Sequence, residues 1–233
     1  MKIEPLGDAA LIVRVCDEGS DATEMISAVG STVGILRRAK IPAILDLAPS
    51  YTSIGVFYDP MRTRQPARAF ESIRDDIEQA MGSDRGTTES FRGKSIELPV
   101  CYDAEFALDL ERVAKHTNLA GDEVVRLHAA GQYVVHCIGF MPGFPYLGGL
   151  ARELATPRLS TPRTSVPAGA VAIGGSQTGV YPQRAPGGWN IIGRSPLRFF
   201  NVDADSPALL TTGDRVRFRS ICREDYEQMK IHD

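Results

Sequence analysis

Between Gly139 and Arg194 the chain concentrates eleven of its 22 glycines and seven of its 15 prolines. The segment contains Gly-Phe-Met-Pro-Gly-Phe-Pro-Tyr-Leu-Gly-Gly-Leu over 139–150, then Pro157-Arg158, Pro162-Arg163 and Val-Pro-Ala-Gly over 166–169. Gln177-Thr-Gly-Val-Tyr-Pro182 and Pro186-Gly-Gly-Trp-Asn190 follow. Glycine serves where the backbone needs positive φ or must admit a close neighbour, and proline fixes φ while removing a donor. No long helix survives such a density of both. The admixture of aromatics and arginines, rather than serine and lysine, separates the segment from a flexible linker. It predicts short strands joined by rigid turns that hold side chains around a site. Composition alone leaves a turn-rich barrel without chemistry as the alternative.

The rest of the composition removes several classes of function. The chain has 233 residues, room for two ordinary domains, with 43% hydrophobic and 24% charged residues, as in a folded soluble protein. A net charge of −3 gives no basic footprint for nucleic acid or an anionic membrane. Residues 131–150 are uncharged apart from His136 and long enough to span a bilayer. Their five glycines and two prolines would leave backbone groups unsatisfied in lipid, so no membrane span is expected. The apolar run Ala9–Val13 is too short for a signal peptide. Cys16, Cys101, Cys137 and Cys222 form no C-x-x-C pair and the histidines do not cluster, so free thiols in a reducing cytoplasm, and no metal, are expected.

Periodicity divides the chain. A strand over 9–15 precedes a helix from about Thr23 to Lys40, where Met25, Ile26, Val29, Val33 and Leu36 make one apolar stripe. Strands over 43–47 and 52–58 and a helix from about Gln65 to Met81 complete a first domain, 1–82. It reads as a small α/β sandwich, with two helices on one face of an antiparallel sheet. The polar, aperiodic stretch 83–94 reads as a linker. Its Gly93-Lys94-Ser95 lacks a P-loop's earlier glycine, because position 88 is threonine. The second domain, 95–233, opens on a strand over 95–101 and continues with helices over 108–116 and 122–130. A strand over 133–138 and short segments at 170–173, 179–181, 190–192, 197–200 and 215–219 predict a closed or nearly closed β-barrel.

The candidate chemistry lies beside the turns. Arg158 and Arg163 each follow a proline, and a guanidinium fork grips carboxylate or phosphate while staying charged when half-buried, with pairing to a protein carboxylate as the other role open to each. Arg194 is a similar, weaker candidate. Gln177 and Tyr181 flank Gly179 and offer uncharged donors and acceptors to a neutral, amide-like ligand, with a turn-stabilising network as the other role open to them. Gly187, Gly188 and Trp189 are further candidate substrate-binding positions, with plugging of the barrel as the other role open to the tryptophan. His128, near a helix end, has the side chain for a proton carrier, although a partnered core histidine fits the same pattern.

Taken from His128 through Gly139-Phe-x-Pro-Gly-Phe-Pro-Tyr-Leu, the two Pro-Arg pairs, Gln177-Thr-Gly-x-Tyr-Pro and Pro186-Gly-Gly-Trp-x-x-Ile-Gly-Arg194, these motifs resemble the family of 5-oxoprolinase B subunits. That family is also described as allophanate hydrolase subunit 1 and includes the KipI-type kinase inhibitors. The resemblance spans the whole chain. It implies an α+β protein, with an α/β N-terminal domain and a cyclophilin-like β-barrel shared with the carboxyltransferase region of urea carboxylase. It further implies partner 5-oxoprolinase C (KipA-like) and A subunits, and ATP-dependent opening of 5-oxo-L-proline to L-glutamate. For that chemistry the residues themselves offer His128 as proton carrier and Arg158 and Arg163, with Arg194, to neutralise developing phosphate or substrate carboxylate charge, and catalytic roles are expected for His128, Arg158 and Arg163. Inhibition of a sensor histidine kinase, or action on allophanate or urea-type amides, are the alternatives within the same resemblance. The sequence locates no ATP site. Ala170 departs from the serine usual in the family, so any contact that hydroxyl makes elsewhere is lost here. The apolar stretch 138–150 is expected as a barrel edge that meets the C subunit.

Overall fold

The structure, a computed structural model, describes residues 1–17, 19, 22–83 and 93–231. The chain separates into two compact units, Met1–Arg92 and Gly93–Asp233. Most of the expected linker, residues 84–92, lies outside the described residues, as does Thr88.

In the first unit, strands β1 (Lys2–Pro5), β2 (Ala10–Arg14), β3 (Ile44–Ser50) and β4 (Ser53–Tyr58) form an antiparallel sheet in the order β1-β2-β4-β3. Strand side chains alternate between faces. Leu11 and Val13 of β2 and Ile54, Val56 and Tyr58 of β4 therefore share one face. Helices α1 (Ala22–Ala39) and α2 (Ala69–Ser83) cover it with Val29, Val33 and Leu36, and with Ile73 and Ile77. The second helix starts later than periodicity predicts, because Pro66 lies in a 3₁₀ turn over Pro66–Arg68. Strand β1 carries too few apolar residues to announce itself.

The second unit contains β5 (Ser95–Cys101), α3 (Leu110–Thr117), α4 (Gly121–Ala130), β6 (Tyr133–Ile138), β7 (Pro145–Gly148), β8 (Arg163–Val166) and β9 (Ala170–Gly174). Then come β10 (Gln177–Val180), β11 (Ala185–Gly187), β12 (Asn190–Arg194), β13 (Arg215–Ile221) and α5 (Arg223–Ile231). Seven strands follow one another as β6-β13-β5-β12-β9-β10-β7, and pairing of β7 with β6 closes the barrel. Within the barrel, β5 and β13 pair in parallel and the other neighbouring strands are antiparallel. Inside lie Leu98, Val100, Val135, Leu147, Val171, Ile173, Val180, Ile192 and Phe218, with Val113 and Val124 of the two helices packed on them. Residues 197–200, expected as a strand, contribute only an isolated bridge at Phe200. Helix α5 escapes the sequence reading because its apolar contribution to packing is little more than Tyr226 and Met229. The stretch 138–150 has no free edge, since β7 is paired on both sides, with β6 and with β10. What it presents outward is Phe140, 61% exposed, rather than a strand edge.

Candidate functional site

The strands that line the barrel also build a floor on its outer side. Leu147, Val171, Ile173, Thr178 and Val180 point inward, so Tyr146, Ala170, Ala172, Gly174 and Gly179 point outward. The small size of the alanines and glycines among them leaves seats for rings. A Cβ on Gly179 would lie 3.0 Å from the Phe144 ring. One on Gly174 would sit 2.4 Å from the Trp189 indole, and one on Gly187 would meet the Tyr181 hydroxyl. Phe144, Tyr181, Trp189, Val166 and Ile191 pack there as a second buried cluster, apart from the barrel core. Edge-to-face contacts, the arrangement that ring quadrupoles favour, join Phe144 to Tyr181 at 5.2 Å and to Trp189 at 5.5 Å. The tryptophan therefore does not plug the barrel. It covers Gly174 from outside and is 5% exposed.

Arg158 lies across this cluster, its guanidinium carbon 5.6 Å from the centre of the Trp189 ring. Three backbone clamps put it there. Thr156 pairs with Gly175, the Leu159 N–H donates to the Gly188 carbonyl at 2.7 Å, and the Asn190 amide donates to the Pro157 carbonyl at 3.0 Å. Asn190 is fully buried. It also donates to the Ile173 carbonyl and accepts from Arg112 at 2.8 Å, so its side chain has one orientation. Arg158 itself is exposed and makes no ion pair among the described residues. A cation whose face rests on indole and whose hydrogen-bonding edge is unspent suits an anionic group. Beside it, burial pushes the Tyr181 phenol up, while the Trp189 backbone, Arg158 and Arg163 act in the opposite direction. Phe140 stands at the rim, edge-on to Phe144 and Tyr181, with φ +65°. A bulky residue in that region is strained, and its exposure gives the strain no packing reason.

Residues 1–210 match the family model for the carboxyltransferase domain, subdomain C and D. The chain is 40% identical to the 5-oxoprolinase B subunit of Bacillus subtilis (strain 168), covering 98% of this chain and 96% of that one. The chain belongs to the family of 5-oxoprolinase B subunits. The crystal structure of TTHA0988 superimposes with a TM-score of 0.74 at 32% identity; the match covers 91% of this chain but 40% of TTHA0988. Kluyveromyces lactis urea amidolyase, at 17% identity, shares the fold alone, with a TM-score of 0.74 over 97% of this chain and 15% of that protein. No helix among the described residues is long and apolar enough to cross a membrane.

Within this family member the expected site residues divide. Arg158, Tyr181 and Trp189 converge. Gly187 seats the Tyr181 hydroxyl and the Gly188 carbonyl holds Leu159, so both glycines build the site through the backbone. Gln177 sits on the same outward face as Gly179, two residues along β10. Of the two roles open to Arg163, the structure shows pairing with a protein carboxylate. Its Nη2 donates to Asp109 at 2.7 Å, and the other Asp109 oxygen accepts from the Ile191 N–H at 2.7 Å. The pair thus ties β8 to the turn before α3 and to β12, although Arg163 Nη1 is buried without a partner among the described residues. Arg163→Ala would strand a carboxylate whose side chain is 7% exposed. A loss of about 2 kcal/mol is expected, seen as a Tm lower by roughly 5 °C. An unchanged melting midpoint would make Arg163 a free substrate cation again.

Arg194 also departs from expectation. It lies four residues along β12 from Asn190, roughly 13 Å of strand, and its Nε donates to the Ala168 carbonyl at 2.8 Å. There it fixes the turn before Ala170, where Gly169 has φ +78°. Ala170 is fully buried, so a serine hydroxyl at this position would be enclosed with the cluster.

His128 is the clearest correction. It is fully buried in the barrel core, not in the arginine–aromatic site. Its Nδ1 is 2.8 Å from the Tyr102 hydroxyl and its Nε2 is 2.9 Å from Thr178 Oγ1. Thr178 has one hydroxyl proton and donates it to the Ala172 carbonyl at 2.9 Å, so Nε2 must carry the imidazole proton and Nδ1 must accept. The ring stacks on Phe218 at 4.6 Å. Desolvation lowers its pKa to about 3, leaving a neutral ring with both nitrogens spent. Enclosed by Tyr102, Thr178 and Phe218, it faces none of the arginine–aromatic group.

Sequence reasoning did not single out Tyr146 or Asn190, although both lie within the quoted turn motifs over 139–150 and 186–190. The Gly93-Lys94-Ser95 segment is spent on packing. The Lys94 N–H donates to Asp214 at 2.9 Å, its Nζ to the Leu209 carbonyl at 2.8 Å, and Gly93 lies against Gly213. This segment does not form a triphosphate cradle. A cleft of about 440 Å³ in the first unit, lined by Ile41, Arg62, Arg64 and Asp76, shares no residue with the arginine–aromatic site. Its arginines are already paired with Asp59 and Asp76.

Proposed function

We propose that this chain is the B subunit of a heteromeric, ATP-dependent 5-oxoprolinase, and that Arg158, Trp189, Tyr181 and Gln177 bind 5-oxo-L-proline. The reading rests on one observation above all: an unpaired guanidinium lies on the only tryptophan of the chain, amid tyrosines, in a member of this family. A compact lactam has apolar ring faces, which suit aromatic walls, and a carboxylate, which suits an arginine fork. Amide resonance makes the lactam a poor electrophile, which accounts for a coupling to ATP. ATP binding is shared with the C and A subunits in this reading. This chain's own part is to hold the ring, neutralise its carboxylate and exclude water from one face.

Reconstitution decides the matter. The chain is mixed with the A and C proteins of the same genome, and ADP and glutamate release from 5-oxo-L-proline plus ATP are measured with each chain omitted in turn. Glutamate formed only with all three present is the expected result. Turnover of allophanate but not 5-oxo-L-proline would move the substrate to the urea class, and failure of the chains to associate would overturn the subunit assignment.

A further inference from the structure

One polar group in the site is left over. Tyr146 is the second residue of β7, opposite Cys137 on one side and Gly179 on the other. With no side chain on Gly179, its ring lies on the outer floor, held by Phe144 at 4.9 Å and Trp189 at 5.8 Å. Gly139 closes the third side, where a Cβ would lie 3.7 Å from the ring. Three neighbours thus fix where the phenol points. Tyr181 is 2% exposed with its hydroxyl against Gly187, whereas Tyr146 is only half-buried. Its hydroxyl makes no hydrogen bond among the described residues. Burial pushes the phenol up despite Arg158, so it keeps its proton at neutral pH and can only donate or accept as a neutral group.

We infer that the Tyr146 hydroxyl donates the hydrogen bond that positions the ligand's amide carbonyl oxygen, while Arg158 takes its carboxylate. The inference rests on the arginine–aromatic group being the ligand site. It assigns a division of labour that neither residue achieves alone. A lone guanidinium accepts any carboxylate of suitable size; a phenol held at a fixed distance on the same indole rejects carboxylates without a carbonyl, because its own hydrogen bond to water would be lost unreplaced. The ligand class is therefore a small planar amide that also carries a carboxylate.

The single tryptophan makes the test direct. This chain is produced with 5-fluorotryptophan, assembled with its unlabelled partner subunits, and the one ¹⁹F resonance is followed during titration. The probes are 5-oxo-L-proline and cyclopentanecarboxylate, which has a similar ring and carboxylate but no lactam. In the native protein 5-oxo-L-proline is expected to bind at least tenfold more tightly than cyclopentanecarboxylate. Tyr146→Phe keeps the ring and should leave the melting midpoint in place, weaken 5-oxo-L-proline about tenfold, and leave cyclopentanecarboxylate within twofold. Equal affinity of the variant for 5-oxo-L-proline, or equal weakening of both probes, overturns the role of Tyr146 while the site stands. A resonance in the native complex that does not respond to 5-oxo-L-proline removes the site and Tyr146 together.

Discussion

Arg158→Met is expected to lower 5-oxo-L-proline turnover by the assembled complex about a hundredfold while moving the melting midpoint by no more than a few degrees. The asymmetry follows from its surroundings. Its guanidinium is exposed and touches the protein mainly through the Trp189 face. Such a contact contributes about 0.5–1 kcal/mol at an exposed site, and methionine keeps much of it through sulfur–aromatic packing. A charge-assisted hydrogen bond to a bound carboxylate is worth about 1.5–3 kcal/mol, which is the larger quantity by far. Arg158→Lys should recover only part of the loss, because an ammonium cannot form the bidentate fork. Turnover of Arg158→Met within threefold of the native complex would remove Arg158 from the site.

The second large effect is on stability. His128→Ala leaves the Tyr102 and Thr178 hydroxyls without their partner and opens a cavity beside Phe218, all within the barrel core. A loss of about 4 kcal/mol is expected, with turnover per folded molecule little changed. A variant that melts like the native protein but turns over poorly would restore the proton-carrier role. The same group sets a pH response. An imidazole whose pKa falls to about 3 on folding, from an ordinary value near 6.5, contributes stability that is complete above the unfolded value. That stability is lost as pH falls from about 6.5 toward 3, since the unfolded chain takes up the proton first. Between pH 7 and pH 4.5 the loss is about 3 kcal/mol. His128→Leu should flatten this part of the profile, and denaturant midpoints of both proteins at the two pH values measure the difference. Parallel profiles would show that His128 does not stay neutral in the folded state.

Fitness of the site for a ligand depends on residues of very different legibility. Arg158 and Trp189 announce themselves, one by following a proline and the other as the single tryptophan among glycines. Tyr146 does not, because nothing in Gly-Phe-Pro-Tyr-Leu tells whether its hydroxyl is spent inside the fold or left for a ligand. Arg163 looks like the twin of Arg158 in sequence, each being the second residue of a Pro-Arg pair. The difference is Asp109, 54 residues earlier, which only folding brings within 2.7 Å. His128 is similar. A histidine on a helix is compatible with a proton carrier until Tyr102 and Thr178, on either side of it in the barrel, are seen to fix both nitrogens.

What the sequence determined by itself is therefore the local and the periodic. The apolar stripes of α1 and α2, the strands at 95–101 and 133–138, and the turn-rich character of 139–194 follow from backbone preference and side-chain spacing, which act over a few residues. Family membership was also legible, because the motifs are long and keep their order. Tertiary structure alone decided which strands close the barrel, that β5 and β13 pair in parallel across the length of the unit, and which face of β7, β9 and β10 holds the aromatic floor. It alone decided which cations remain unpaired. The physical reason is common to all of these: hydrogen-bond partners and burial are set by residues far apart in the chain, and a side chain's chemistry depends on what it is left with after those partners are satisfied.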